Sequence, residues 1–368
     1  MKTRSYLWAV LAMAALSLAA CGDNEENRDL EPQPQGKTAI LEISIQGTST
    51  LDTRSTGGTL PGTSDENKIQ RIAVAIFNSD GSVNTISEST TGTSSLSISC
   101  TPAASCSGVA VANAPAKTFA GITTKTAFLA KTLTLGQTAT ELPMSGEIKD
   151  KTTSAGTFTL TAGQTTNVKV DLTRMVARVS ISSIKTAFDP AGQYSKATFK
   201  AKQIFMHNAK TTSNVDPGTL TTTNLKTGWD DASVTADYVV TLKDDISSGV
   251  AITGTPYTTP YWFYTFPNDN TKSTRLVIRG DFDPDGSGSV AASDVYYPVV
   301  VNLGQTGTSI NSGSKDGTIA RNTTYAITAT IKGKGAPNPN TNMAPATLDL
   351  TVTVAAWALN ITQDVEFN

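Results

Sequence analysis

The residue types closest to a metal site stand in one short stretch, residues 281–289, DFDPDGSGS. Asp281, Asp283 and Asp285 are spaced like the first acidic ligands of a calcium loop, whose carboxylate oxygens suit a hard cation. At the twelfth position, where such a loop carries a bidentate acid, this chain has Ala292. A turn between two strands explains the stretch equally well. We therefore predict no metal site and keep calcium at the three aspartates as the alternative.

Catalytic combinations are scarce along the rest of the chain. His207 is the single histidine, and the sequence contains neither a GxSxG motif nor a phosphate-binding loop. Paired carboxylates for glycoside hydrolysis stay open, because such carboxylates need only come together in the fold. We predict that the protein is not an enzyme and that it uses no cofactor.

Two cysteines, Cys100 and Cys106, lie six positions apart in the stretch SISCTPAASCSG. An oxidising compartment permits a disulfide across so short a loop, where the bond would pin a turn. Free thiols and metal ligands are the alternatives, although the lone histidine is distant in sequence. The sequence predicts a Cys100–Cys106 disulfide with a structural role.

The start of the chain indicates the compartment. A positively charged start precedes an apolar run over residues 7–20, and LSLAAC then places small residues before Cys21. This resembles a bacterial lipoprotein signal, in which residues 1–20 are a signal peptide and Cys21 is lipidated; an ordinary secretory signal is the alternative. Residues 21–36 are polar, acidic and proline-containing, which predicts a flexible tether.

Composition and pattern define the fold class. The net charge is −2 and only 16% of residues are charged, so no nucleic-acid partner is expected. Short β-rich runs separated by Gly, Asn, Asp and Pro predict an all-β protein. The length suits two domains. A boundary near Met175, inside a long alternating run, predicts an N-terminal β-sandwich over 37–175 and a C-terminal one over 176–368.

A regular strand near the start of the mature chain is followed by a loop-like segment. Leu41, Ile43 and Ile45 alternate with polar residues, which predicts a strand with one buried face. The next stretch is rich in Ser, Thr and Gly and contains Arg54. Segments of this kind are where proteases cut. Arg71 is the nearest alternative cleavage site, but it begins a strand and should be protected.

The C-terminal region repeats this alternation. The apolar residues of the two alternating runs, with one aromatic residue at the break between them, are Leu348, Leu350, Val352, Val354, Trp357, Ile361, Val365 and Phe367. Trp357 is expected to be a buried anchor. A terminal strand can stay at the edge of its own sheet, or it can leave and complete the sheet of another molecule.

Nine segments in this order, together with the lipoprotein start, resemble the fimbrillin family, the subunits of type V pili. They are RIAVAIFNSDG, VAVANAPAKTF, LPMSGE, VDLTRMVARVSI, QIFMHNA, YWFYTFPN, TRLVIRGDF, IARNTTYAITATIKGKG and VTVAAWALNITQDVEFN. The resemblance implies two tandem transthyretin-like β-sandwich domains of Greek-key type. It also implies a lipidated precursor and assembly by strand exchange after proteolysis.

The resemblance implies a sequence of events. The lipid holds the precursor at the outer membrane until an Arg-specific protease cuts between Arg54 and Ser55. The strand around Leu41, Ile43 and Ile45 then leaves. The C-terminal strands of another copy, or of a related subunit, take its place. The product is a cell-surface fimbria used in adhesion to host or bacterial surface receptors.

Other functions stay open from sequence alone. A monomeric surface lipoprotein could bind glycans or host proteins, and the aromatic run Tyr261–Tyr264 could suggest a carbohydrate platform. Alternation sends those side chains to both faces of a strand, however, so core plus surface is the favoured interpretation. Among pilus positions, tip and anchor are alternatives. A stalk is favoured because the chain carries both a removable and a donatable strand.

Overall fold

A computed structural model describes residues 37–47, 63–218, 223–288, 293–303, 316–343 and 347–357. Strands dominate these ranges, which confirms the predicted all-β class. The first strands are β1 (Ala39–Gly47), β2 (Ile72–Phe77), β3 (Val83–Ser89), β4 (Ser95–Cys100), β5 (Ala103–Ala112), β6 (Thr132–Thr134), β7 (Met144–Asp150), β8 (Phe158–Leu160) and β9 (Thr165–Arg174). The remaining strands are β10 (Ala177–Thr186), β11 (Thr198–His207), β12 (Ala209–Lys210), β13 (Thr212–Asn214), β14 (Leu225–Lys226), β15 (Lys243–Ile252), β16 (Tyr261–Thr265), β17 (Arg275–Asp283), β18 (Ser293–Val300), β19 (Thr323–Ile331) and β20 (Leu348–Ala356).

Helices are few and short in the described ranges. They are α1 (Thr63–Glu66), α2 (Lys125–Leu129) and the 3-10 turns Ala139–Glu141, Ala232–Val234 and Val240–Leu242. None of the described helices has the length and apolar character needed to cross a membrane. The predicted signal peptide and the tether at 21–36 lie outside the described residues.

One large sheet gathers the described strands of the first half except β6, which pairs with β13. Its order is β3-β2-β5-β7-β9-β1-β4, with β8 attached to β5. Period-2 alternation explains the packing, because the inward side chains of β9 (Val168, Val170, Leu172) are fully buried. Ile76 of β2 and Ile98 of β4, from opposite ends of the sheet, belong to the same core. The sheet therefore folds over its own apolar face as a sandwich does.

The second half contains two four-stranded sheets, in the orders β16-β10-β19-β20 and β15-β11-β17-β18, and the short pair β12-β14. Both sheets contribute to one apolar core. Val179 and Ile327 come from the first sheet, and Ile204 and Tyr297 come from the second. Among the described strands, β20 lies at the edge of its sheet and pairs only with β19. This half is a β-sandwich in which β20 has one ladder partner.

The long alternating run is divided between two strands of different sheets. Strand β9 ends at Arg174 in the large sheet, and β10 begins at Ala177 in a sheet of the second half. A third apolar cluster contains Phe77 from the outer face of β2 and Phe266 from the second half. Residues from Thr38 onward pack as one compact unit. The division into 37–175 and 176–368 stays a prediction.

Candidate assembly site

Strand β1 is an interior strand of the large sheet. It pairs in parallel with β9 over eight residues and antiparallel with β4 over six. Its inward side chains Leu41, Ile43 and Ile45 are at most 4% exposed. Residues 48–62, including Arg54 and Ser55, lie outside the described residues. The first strand therefore contributes two hydrogen-bonded ladders and an apolar face to the sandwich.

Without β1, the large sheet would contain an open groove. The floor would be apolar, because Val168 and Val170 of β9 and Ile98 of β4 belong to the core that β1 covers. The walls would be the unpaired backbone N–H and C=O groups of β9 and β4, which require partners when buried. Each inward side chain of β1 contributes about 1.5–3 kcal/mol by burial. Such a groove calls for another strand with the same alternation.

Two cysteine thiols lie in this core. Cys100 is the ladder partner of Ala39 in β1, and Cys106 lies on β5 in the same apolar cluster. Both are buried free thiols, so the predicted Cys100–Cys106 disulfide is absent from the structure. Each sulfur packs among apolar side chains and donates a long hydrogen bond to a backbone oxygen, at 3.8 Å for Cys100 and 3.6 Å for Cys106. Burial raises the pKa of Cys100 to about 11, and the neighbouring Cys106 adds to the shift.

The aspartates of the calcium alternative are engaged within the protein. Asp281 accepts a hydrogen bond of 2.6 Å from Lys202. Asp283 accepts from the backbone N–H groups of Gly286 and Gly288 at 3.1 and 2.8 Å, and Asp285 accepts from a backbone N–H two residues later. Across the residues that the structure describes, no group of three or more His, Cys, Asp or Glu side chains is placed to hold a metal ion. The stretch is built as a hydrogen-bonded turn after β17.

The aromatic run of β16 does not form an exposed platform. Phe263 and Tyr264 are buried, while Tyr261 and Trp262 are half-buried. Tyr261 packs against the core of the second half, and Trp262 against the third apolar cluster. Alternation therefore sends Tyr261 and Phe263 to one apolar cluster and Trp262 and Tyr264 to another, so the run lies between two cores rather than on core and surface.

Strand β20 is integrated into its own sheet. It pairs with β19 along its whole length, from Leu348 opposite Ile331 to Ala356 opposite Thr323. Leu348 is 1% exposed and Leu350 is 8% exposed. The predicted donor residues Ile361, Val365 and Phe367 lie outside the described residues.

Trp357, directly after β20, is buried as expected of an anchor. Its indole N–H donates to Glu66 Oε2 at 3.2 Å. Its carbonyl accepts a bond of 3.1 Å from Arg174 Nη1, and its backbone N–H donates to Asn322 at 2.9 Å. Every polar group of Trp357 is therefore bonded to a different part of the chain.

The Trp357 ring also lies among charged and aromatic groups. The guanidinium carbons of Arg174 and Arg178 lie 4.2 and 5.2 Å from the ring centroid, in cation–π geometry. The Tyr264 ring stacks on the Trp357 ring, with centroids 5.8 Å apart and planes inclined by 7°. Five residues, named here the Trp357 clamp, share these contacts: Glu66, Arg174, Arg178, Tyr264 and Trp357.

Glu66 is the charge that holds the clamp together. Its carboxylate is fully buried and lies 2.8 Å from Arg178 Nη1, and it accepts a further bond of 2.7 Å from the Tyr264 hydroxyl. Its backbone oxygen accepts from Arg174 Nε at 3.2 Å, and Arg174 also donates to Asn67. A buried carboxylate needs such partners, because an unpaired buried charge is strongly unfavourable.

The pKa values of the clamp follow from burial and charge. Burial lowers the pKa of Arg174 to about 10, although the Glu66 carboxylate opposes the shift. Burial, and next the negative charge of Glu66, raise the pKa of Tyr264 well above its ordinary value. At neutral pH Arg174 is therefore cationic and Tyr264 keeps its proton.

Sequence reasoning missed Glu66, Arg174 and Arg178. One signal was present for Arg174, because it continues the inward positions occupied by Val168, Val170 and Leu172. An arginine at an inward position of a strand predicts a buried acidic partner. Glu66 carried no such signal, since it lies in a helix of only four residues.

Two protein-family profiles match parts of this chain. The family profile described as major fimbrial subunit protein (FimA) matches residues 39–174. The profile described as FimA4 pilin C-terminal domain matches residues 282–357. No curated protein sequence matches the chain.

Solved structures share the fold. A fimbrilin (FimA) from Porphyromonas gingivalis aligns with a TM-score of 0.63 at 19% identity, covering 89% of this chain and 99% of that one. A candidate cell adhesion protein from Bacteroides eggerthii aligns with a TM-score of 0.64 at 23% identity, covering 88% of this chain and 97% of that one. At these identities the likeness concerns the fold alone.

The sandwich fold and its two matched profiles define a structural protein of the fimbrial subunit class. The two profiles together cover more than half of the chain. The chain belongs to the fimbrillin family, as the nine sequence segments predicted, and this is a family of fimbrial structural subunits rather than of enzymes.

Proposed function

We propose that this protein is the precursor of a fimbrial stalk subunit that polymerises by strand exchange. It is exported, lipidated on Cys21 and held at the outer membrane. An Arg-specific protease cuts between Arg54 and Ser55, and β1 leaves. The C-terminal region of a neighbouring copy, or of a related subunit, then enters the groove between β9 and β4.

The position of β1 is the observation that carries this proposal. It is an interior strand with ladders to both neighbours, yet only residues 48–62 connect it to the rest of the fold. A cut in that connection leaves β1 held by noncovalent contacts alone. Those contacts are main-chain hydrogen bonds and alternating apolar side chains, which a second strand of suitable pattern reproduces.

The energetics favour exchange over simple loss. Each ladder hydrogen bond contributes about 0.5–1.5 kcal/mol net, and each buried aliphatic side chain about 1.5–3 kcal/mol. An empty groove therefore costs many times the thermal energy. An incoming strand that restores the ladders recovers most of that loss, and a longer donor than β1 makes the exchange favourable.

The symmetry of the contact supports a filament. Groove and donor lie on different parts of one chain, so each subunit contacts the next head to tail. Such heterologous contacts propagate an open fibre unless a rotation closes them into a ring. A stalk position requires both elements, and this chain carries both. Adhesion to host or bacterial surface receptors would be a property of the assembled fibre.

The sharpest test compares Arg54→Ala with Arg71→Ala as a matched control. Arg54→Ala should give a folded, lipidated precursor that never forms fibres, whereas Arg71→Ala should be processed and assembled as the parent is. Edman sequencing or mass spectrometry of the surface-released protein should find Ser55 at its N-terminus. A surface form that keeps lipidated Cys21 and binds glycans or host proteins as a monomer would refute the proposal.

A further inference from the structure

Two segments of the C-terminal region are available as the donor: β20 with Trp357, and residues 358–368 beyond it. Strand exchange as proposed is compatible with either segment. The Trp357 clamp distinguishes the two segments, because it holds the end of β20 in its own subunit and leaves the residues after Trp357 outside these contacts.

Detaching β20 and Trp357 would disrupt a buried charged cluster. Glu66 would lose the indole donor, and Arg174 would lose both the Trp357 carbonyl and the ring at 4.2 Å. Glu66 and Arg174 are each 0% exposed. Water therefore does not easily replace the contacts that these two side chains would lose. The groove between β9 and β4 offers apolar side chains and backbone groups, which replace none of these charged contacts.

The residues after Trp357 have the length and the pattern of a replacement for β1. Residues 358–368 number eleven, and β1 has nine. Their large apolar side chains, Leu359, Ile361, Val365 and Phe367, stand at positions in phase with one another, with the polar Gln363 at the same phase between Ile361 and Val365. A strand of this pattern presents one apolar face, which is what the floor of the groove requires.

The charges of residues 358–368 also support this segment as the strand that enters the groove. The intervening positions of residues 358–368 include Asp364 and Glu366. On the outward side of β1, Lys169 is in register with Ser44, and Lys151 Nζ lies 3.5 Å from the Ser44 hydroxyl. Acidic outward residues on the incoming strand would face these two lysines.

We propose that the Trp357 clamp keeps β20 in its own sheet throughout assembly and that only residues 358–368 of a second copy enter the groove. This inference rests on the proposed strand exchange. Glu66, Arg174 and Arg178 are then positioning residues. They fix the point at which the donor segment leaves the subunit.

The test locks β20 to β19 with a disulfide. Thr328 and Thr351 are exposed and directly opposite each other in the ladder, and antiparallel Cα separations of about 4.5–5.5 Å suit a disulfide. The double variant Thr328→Cys/Thr351→Cys is oxidised, checked by mass, cleaved with an arginine-specific protease and followed by electron microscopy and gel laddering. Thr330→Cys/Asp349→Cys provides a second lock if the first pair does not oxidise.

The oxidised and reduced proteins should assemble to the same extent, because β20 does not move. Failure of the oxidised protein alone, with recovery on reduction, would overturn the inference. A deletion of residues 358–368 separates this from the proposed function. If the deletion variant does not assemble, a C-terminal donor is supported independently of the result with the disulfide. If the deletion variant forms fibres, both proposals are refuted.

A second readout follows the role of Glu66. Glu66→Gln should slow assembly several-fold by loosening the point of exit, and the exposed Glu141→Gln serves as the matched control. A cluster that had to open for β20 to leave would give the opposite sign. Faster assembly of Glu66→Gln would therefore contradict the inference.

Discussion

Strands β1 and β20 share one alternating pattern, yet the fold holds them by different means. Strand β1 has a ladder on each side and a purely apolar buried face. Strand β20 has a ladder on one side, and Trp357 after it is bound by a buried carboxylate and two arginines. The contacts of β1 are generic, whereas those of Trp357 depend on particular side chains.

This difference separates a replaceable strand from a resident one. Main-chain ladders and alternating apolar side chains can be supplied by any strand of the right length and phase. A buried ion pair with a cation–π contact cannot, because its partners are costly to leave unpaired.

The largest effect should come from the clamp. Glu66→Ala removes the carboxylate that neutralises Arg178 and accepts from Trp357 and Tyr264. Leaving buried arginines without it should lower the free energy of unfolding by about 3–5 kcal/mol, measured by denaturant titration of the precursor. The control is Lys332→Ala, which breaks an exposed pair with Asp349 and should cost about 1 kcal/mol or less. Equal losses of unfolding free energy in the two variants would show that the clamp stabilises the fold no more than an exposed ion pair does.

Truncating a buried side chain of β1 or of β20 should affect the stability of the precursor and of the assembled fibre differently. Ile43→Ala and Leu350→Ala each remove a buried aliphatic side chain, and each should destabilise the precursor by about 2–5 kcal/mol. In the assembled fibre only Leu350→Ala should still lower the unfolding midpoint, since β1 has gone. A fibre weakened by Ile43→Ala would show that β1 is retained.

Thiol reactivity should report the state of the groove. With its pKa raised from 9.0 to about 11, Cys100 in the precursor carries about 100-fold less thiolate near pH 8 than an ordinary thiol, and its labelling should rise with pH up to about 11. In a Cys106→Ala background, labelling should accelerate after cleavage, when Ala39 no longer covers Cys100, and slow again in the fibre. Unchanged rates across the three states would contradict departure of β1.

Much of the fold could be predicted from the sequence, because period-2 alternation is a local signal. The strands around Ile43 and Leu350 and the break near Met175 were all visible in it, as was the buried position of Trp357. The predicted donor and cleavage residues stay predictions.

The clamp could not be predicted, because its members are distant in sequence. Glu66 and Trp357 are separated by 291 residues, and no local pattern links a short helix to the end of a strand. The disulfide prediction was wrong for a related reason. Spacing alone permits a bond, but Cys100 and Cys106 are both accommodated as free thiols in the apolar core.

The proposed assembly requires that residues 358–368 of one subunit replace β1 of the next. A photo-crosslinking residue at Val365, in fibres grown from isotopically light and heavy subunits, tests it directly, with Leu350 as the matched control position. We predict that mass spectrometry will find links from position 365 to β9 or β4 peptides of a different subunit, and links from position 350 only within one subunit. Links from position 365 confined to its own chain would contradict strand exchange between subunits.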